Sequence, residues 1–195
     1  EVLALLQLAL PERTACRLTF REAFRSVTGL DPLLATTEQL AAHARRNGME
    51  LPELDHAGWV DWLMVSEVEP AFDPDQLTVV TDFPAWAAAL AETTIDASGA
   101  TVAKRFEVYS GGVELANGYQ ELRDASEQAT RFASDQALRQ RAGKPVPEVD
   151  PRLLAALTSG LPEVSGVALG IDRLLMVMLG ARHIDEVMAF PWNRA

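Results

Sequence analysis

The stretch from Arg105 to Leu122, Arg-Phe-Glu-Val-Tyr-Ser-Gly-Gly-Val-Glu-Leu-Ala-Asn-Gly-Tyr-Gln-Glu-Leu, constrains the fold of this chain more than any other. Apolar and polar residues alternate from Phe106 to Tyr109 and again from Val113 to Ala116, with Ser110-Gly111-Gly112 between them. Two strands joined by a tight turn have this pattern, so the spacing predicts a β-hairpin. A two-residue loop of Ser110 and Gly111 pairs residue 109 with 112 and 108 with 113, and sets Glu107 directly opposite Glu114. Two carboxylates about 5 Å apart repel by roughly 3 kcal/mol at an effective dielectric near 20, so a cation is expected between them. Magnesium suits the pair, because it usually takes one or two protein carboxylates and completes its octahedron with water and substrate phosphates, which points to a nucleotide site. A solvated hairpin face whose acids never meet is the competing reading, and spacing does not decide between the two.

Glu114 differs in parity from Asn117, and from Tyr119 and Glu121 beyond it, so a regular strand would send these residues to opposite faces. A bulge at Ala116-Asn117-Gly118 would bring them back together, and Gly118 suits such a position. Glu107, Glu114, Asn117, Tyr119 and Glu121 then line one pocket.

Composition narrows the possibilities. With 195 residues and 48% hydrophobic content, the chain can bury a substantial core, and no apolar run reaches the length of a membrane helix. The first residues, Glu1 to Leu10, lack the basic region of a signal peptide, so a cytoplasmic protein without a membrane partner is expected. The single cysteine, Cys16, excludes an intrachain disulfide and a cysteine metal cluster. A net charge of −11, with Lys104 and Lys144 the only lysines, argues against a broad nucleic-acid surface and disfavours tRNA as a partner. A local basic cleft for ATP remains compatible with that balance.

Along the chain, residues 1–10 read as an apolar helix. Thr19-Phe20-Arg21-Glu22 and Thr36-Thr37-Glu38-Gln39 have capping-box spacing and open two short helices, the first ending at Gly29 and the second at Asn47-Gly48. Residues 58–69 carry Val60, Leu63, Met64 and Val68 on one helical face before Pro70, and Trp59 and Trp62 read as core. His43 and His56 have no partner at metal-ligand or triad spacing and read as structural. Leu77–Thr81 is a strand, and residues 95–100 a loop. Asp124-Ala125-Ser126-Glu127 caps a helix reaching Ala142, with Ala125, Ala129, Phe132 and Ala133 inward and Arg131, Arg139 and Arg141 solvated. Pro151 starts another helix. Residues 166–176, Gly-Val-Ala-Leu-Gly-Ile-Asp-Arg-Leu-Leu-Met, read as a strand running through Gly170 into a helix whose first turn holds Arg173, within reach of a phosphate or an aromatic base. A helix start with a salt-bridging Arg is the plain alternative.

Together, the hairpin and the Gly-Val-Ala-Leu-Gly-Ile-Asp-Arg-Leu stretch resemble the catalytic domain of class II aminoacyl-tRNA synthetases of the lysyl branch, the second stretch being similar to motif 3. The wording Arg-Phe-Glu-Val-Tyr, Glu-Leu-Ala-Asn-Gly and Ser-Gly-Val-Ala-Leu-Gly-Ile-Asp-Arg-Leu is closest to the elongation factor P (R)-β-lysine ligases, paralogues of lysyl-tRNA synthetase. The resemblance implies an α+β fold, an antiparallel sheet of six or seven strands flanked by helices, with a helical insert and first strand in residues 1–100 and the hairpin and motif 3 in residues 101–195. It implies that Glu107 and Glu114 hold Mg²⁺ on ATP, that Leu115 lies beside ATP through its backbone, that Gly170 leaves room for the nucleotide, and that Arg173 stacks on adenine. Asn117, Tyr119 and Glu121 would line the lysine pocket, with Glu121 receiving a substrate ammonium.

Ala168 stands where lysyl-tRNA synthetases commonly carry Gly, which suits a pocket reshaped for a β-amino acid. The implied activity is ATP-dependent activation of (R)-β-lysine, or lysine, as an adenylate and its transfer to a lysine of elongation factor P, by a full-length homodimer. Lysyl-tRNA synthetase itself and a non-catalytic synthetase-like binding module are the alternatives. Motifs 1 and 2 are not found. Phe20-Arg21-Glu22 only superficially suggests motif 2, so the chain is expected to begin just after that motif and to be nearly inactive alone.

Overall fold

The computed structural model describes residues 1–47 and 52–192. Its frame is one sheet of six strands in the order β1-β2-β4-β5-β6, with β3 paired to β4 on the edge opposite β2, beyond the end of β5. The strands are β1 (Thr14–Thr19), β2 (Gln76–Pro84), β3 (Thr93–Ile95), β4 (Thr101–Ser110), β5 (Val113–Gln120) and β6 (Ser165–Leu169). All pairings are antiparallel except that of β1 with β2, which is parallel. The sheet is therefore mixed. Residues 1–100 supply three strands, not the single one expected. β1 follows α1 (Val2–Ala9) and runs straight into the next helix, and its pairing to β2 forms only through tertiary contact.

Both capping boxes form. Thr19 and Glu22 bond reciprocally at the start of α2 (Phe20–Thr28), which ends at Gly29 with φ +71°. This fixes Phe20-Arg21-Glu22 as a helix start, with Arg21 paired to Asp31 at 2.6 Å. Thr36 and Gln39 do the same for α3 (Thr37–Ala44), which passes into a 3₁₀ turn at Arg45–Asn47, and Gly48 lies outside the described residues. Helix α4 (His56–Leu63) widens into a π-helical turn over Met64–Val68 and tightens at Glu69–Ala71. Trp59, Val60, Leu63 and Val68 are fully buried with Phe24 and Leu40 in a core on one side of the sheet. Each such aliphatic side chain contributes about 1.5–3 kcal/mol relative to exposure. His43 is buried with Nε2 2.9 Å from Glu67, and His56 Nε2 is 2.8 Å from the Pro32 carbonyl, so both are structural.

The other face of the sheet carries Leu77, Val79, Val108 and Leu115, covered by α1 and α7 (Ile171–Leu179). Helices α5 (Ala125–Arg141) and α6 (Pro151–Thr158) pack against each other. On α5 the buried residue is Gln128, while Ala129 and Ala133 are exposed, so the expected inward face is rotated. Arg131 is not solvated either: its Nη1 donates to the carbonyls of Ala89 and Ala91 at 2.9 and 2.7 Å. No helix among the described residues is long and apolar enough to cross a membrane.

Candidate active site

The hairpin forms with its loop one residue later than expected. Gly111 and Gly112 make the turn, with Gly111 at φ +57°, a conformation that glycine adopts without strain. Ser110 pairs with Val113 and Tyr109 with Glu114. Beyond that the register shifts, and Val108 pairs with Ala116, leaving Leu115 as the extra residue of a bulge. Glu107 therefore faces Asn117 rather than Glu114. The bulge sits at Leu115, not at 116–118, and it performs the task assigned to it, since Glu114, Asn117 and Tyr119 share the face of Arg105, Glu107 and Tyr109. Gly118 is required for another reason: a Cβ there would lie 2.6 Å from the Phe106 ring and 2.7 Å from the Gly166 carbonyl.

Glu107 is 6% exposed. Arg105 and Asn117 donate to its Oε1, Asn117 at 2.9 Å, and the Tyr109 hydroxyl donates to Oε2. The cation expected beside Glu107 is thus supplied in part by Arg105, which also donates to the Ala87 carbonyl at 2.8 Å and lies over the Phe83 ring. Burial raises the Glu107 carboxyl above its usual range despite Tyr109 and Arg105, which oppose it. The buried Tyr109 phenol is pushed far up by desolvation and then by the Glu107 charge. Glu69, at the end of the π turn, lies 3.3 Å from the same hydroxyl and is also raised, first by burial and then by Glu107. Nothing in the sequence near Glu69 marks it, because only the packing of α4 on the sheet brings it here.

At the turn end of the hairpin, Arg173 Nη1 donates to the Glu114 carbonyl at 3.0 Å and to its carboxylate at 3.1 Å. Gly170 caps α7, and its N–H donates to the Leu115 carbonyl at 2.9 Å. A cleft of about 320 Å³ is lined here by Glu114, Leu115, Asn117, Ala168, Gly170 and Arg173. A second cleft of about 560 Å³ continues along the same face between Arg105, Asn117, Tyr119, Glu121, Gly166 and Ala168, with Ala89 at its edge. Both volumes are in the range of small-molecule sites. Among the described residues no side chain donates a hydrogen bond to the Glu121 carboxylate. The Tyr119 phenol is raised by burial and then by that charge.

Of the residues singled out from the sequence, Glu107, Glu114, Asn117, Tyr119, Glu121 and Ala168 thus share one sheet face with Gly170 and Arg173 beside it, whereas the Leu115 side chain is buried on the other face and only its carbonyl meets the Gly170 N–H. Residues 6–194 match the family model for class II tRNA synthetases (D, K and N). The chain belongs to that family. Among curated members, it is 45% identical over its whole length to a Vibrio cholerae protein named elongation factor P (R)-β-lysine ligase, of which it covers 60%. Proteins of the same name from Haemophilus ducreyi and Pasteurella multocida are each 44% identical, over 91% and 100% of this chain and 54% and 60% of theirs. The chain therefore spans a little over half the length of the family members it matches.

The donor set bears on a metal. Among the described residues no three Asp, Glu, His or Cys side chains form a metal-binding group. Two hard carboxylates on one face suit an ion that takes its remaining ligands from water and phosphate. Three of the roughly four acceptor positions of the Glu107 carboxylate are used by Arg105, Asn117 and Tyr109, which leaves one. The pair therefore fits magnesium carried on a nucleotide and does not make a cage for a bare ion.

Proposed function

We propose that the protein carrying this chain activates (R)-β-lysine with ATP and transfers it to a lysine of elongation factor P. One observation carries the reading: Glu121, an acid to which no side chain among the described residues donates, closes a cleft that runs along the sheet face to a second cleft edged by Glu114 and Arg173. A cationic amino acid supplies what Glu121 lacks, and a charge-assisted hydrogen bond to an ammonium is about twice as strong as a neutral one. The shared name of the 44–45% identical relatives supports the same substrate and acceptor.

In this reading Asn117 and Tyr119 line the amino-acid cleft, with Ala168 on its floor as the residue that fits it to a β-amino acid. Leu115 and Gly170 present backbone to the nucleotide, and Arg173 lies over adenine and near the phosphates. Glu107 and Glu114 would hold a magnesium ion, which would neutralise phosphate charge. The substrate carboxylate attacks the α-phosphorus and pyrophosphate leaves. The acceptor amine then attacks the acyl carbon and AMP leaves. No protein nucleophile is needed, because the side chains position the reactants and balance charge. Ligation to a translation factor sets the enzyme in the cytoplasm. The full-length protein acts as a homodimer in this reading, and the exposed apolar side chains Ile171, Leu179, Phe190 and Trp192 are candidates for burial in the whole assembly.

The test is to incubate the full-length protein with ATP, (R)-β-lysine and elongation factor P and to read the intact mass of the factor. Gain of one β-lysyl group is expected, with no charging of lysine tRNA. Charging of tRNA with an unmodified factor would contradict the reading.

A further inference from the structure

Gly166 pairs with Tyr119 across β5 and β6, so a side chain on it would rise from the same face as Tyr119, into the amino-acid cleft. A methyl group built there overlaps one atom, Oε1 of Glu121; the Glu121 Cδ is 3.6 Å away and nothing else lies within 4 Å. The backbone does not ask for glycine at this position, since Gly166 is not among the residues of positive φ. Gly118, by contrast, is hemmed in by an aromatic ring and a carbonyl. The missing side chain at 166 therefore has one local consequence, which is a recess for the Glu121 carboxylate.

The rest of Glu121 is held in place. Its N–H donates to the Val164 carbonyl at 3.0 Å, and it bridges to Ala91. Only the end of the side chain is left to be placed, and the recess places it.

We propose that Gly166 is a specificity-determining position: by admitting the Glu121 carboxylate against β6, it sets where the distal ammonium of the substrate is received. This rests on the reading that Glu121 takes that ammonium. Ala168, two residues on and on the same face, pairs with Asn117 and leaves its share of the floor to the substrate. A methyl at 166 turns the carboxylate out into the cleft at little cost to folding, because the obstructing atom ends a flexible side chain. The charge-assisted hydrogen bond, which needs about 2.7–2.9 Å, is then misplaced.

The experiment uses the full-length protein and the variants Gly166→Ala, Glu121→Gln, Glu121→Asp and the Gly166→Ala/Glu121→Asp pair. ATP–pyrophosphate exchange gives KM for (R)-β-lysine and for ATP, calorimetry gives (R)-β-lysine affinity directly, and thermal melting reports folding. Gly166→Ala is expected to weaken amino-acid affinity about tenfold, with KM for ATP and Tm near wild type. In the Glu121→Asp background, whose shorter acid clears the methyl, the same substitution is expected to cost less than twofold, a coupling that a merely structural glycine would not show. Unchanged (R)-β-lysine affinity in Gly166→Ala, beside a loss in Glu121→Gln, would overturn the inference and keep the reading of Glu121. Equal weakening for (R)-β-lysine and ATP, or equal cost in both backgrounds, would also overturn it. Unchanged affinity in Glu121→Gln would overturn the reading of Glu121 itself.

Discussion

Glu107 and Glu114 lie on one face of one hairpin, yet the protein treats them differently. The Glu107 side chain is 8% exposed and meets Arg105, Asn117 and Tyr109, with Glu69 behind the tyrosine. The Glu114 side chain is 33% exposed, and its partner Arg173 is 51% exposed at the mouth of the smaller cleft. Removing one partner of a buried charge network costs far more than breaking an exposed pair. The inner acid is thus built into the fold, whereas the outer one is held loosely enough to exchange Arg173 for a ligand.

Substitutions at the two ends should therefore separate stability from activity. The largest effect is expected for Glu107→Ala, which strands the Arg105 guanidinium and the buried Tyr109 hydroxyl and should cost about 3–5 kcal/mol in denaturant unfolding of the full-length protein. A loss below about 1 kcal/mol would erase the contrast. Glu114→Gln should leave stability within about 1 kcal/mol of wild type. It should nevertheless slow pyrophosphate exchange about a hundredfold, as loss of a charge-stabilising group does; exchange at the wild-type rate would remove Glu114 from the nucleotide site. Arg173→Ala should weaken ATP binding by about tenfold to a hundredfold with a small change in Tm. Unchanged affinity by calorimetry would make Arg173 structural.

The smallest effect is a pH dependence. Burial raises the folded-state Glu107 carboxyl above the ordinary value of 4.5, so the folded state binds more protons there than the unfolded state. Its contribution to stability is then full below 4.5 and is lost as pH rises through the raised value. Glu107→Gln should flatten that part of the stability–pH curve, and a curve of unchanged slope would show that other groups set it.

The strand at Leu77–Thr81, the hairpin, the strand before Gly170 and the shared polar face were legible because alternation, β-branched runs and glycine punctuation are local signals. The register was not. Ser110-Gly111 and Gly111-Gly112 are both acceptable loops; the choice moves Glu107 from Glu114 to Ala116, and the bulge at Leu115 carries it one residue further to Asn117. Parity announced a bulge, but its position at Leu115 depends on that register. β1 was hidden because a short strand before a capping box looks like a lead-in, and its partner β2 lies far along the chain. Glu69, Gly166 and the carbonyl-binding Arg131 owe their places to packing between distant segments, which spacing along the chain does not report. Composition spoke only to bulk properties, and the acidic total of −11 conceals the pairing of Arg105 and Arg173 with the two hairpin acids.

ATP–pyrophosphate exchange by the full-length protein, comparing (R)-β-lysine with L-α-lysine, tests the central claim most directly. Faster exchange with (R)-β-lysine is the predicted result. Faster exchange with L-α-lysine would assign the site to a lysyl-tRNA synthetase, and no exchange with either would contradict an activating enzyme altogether.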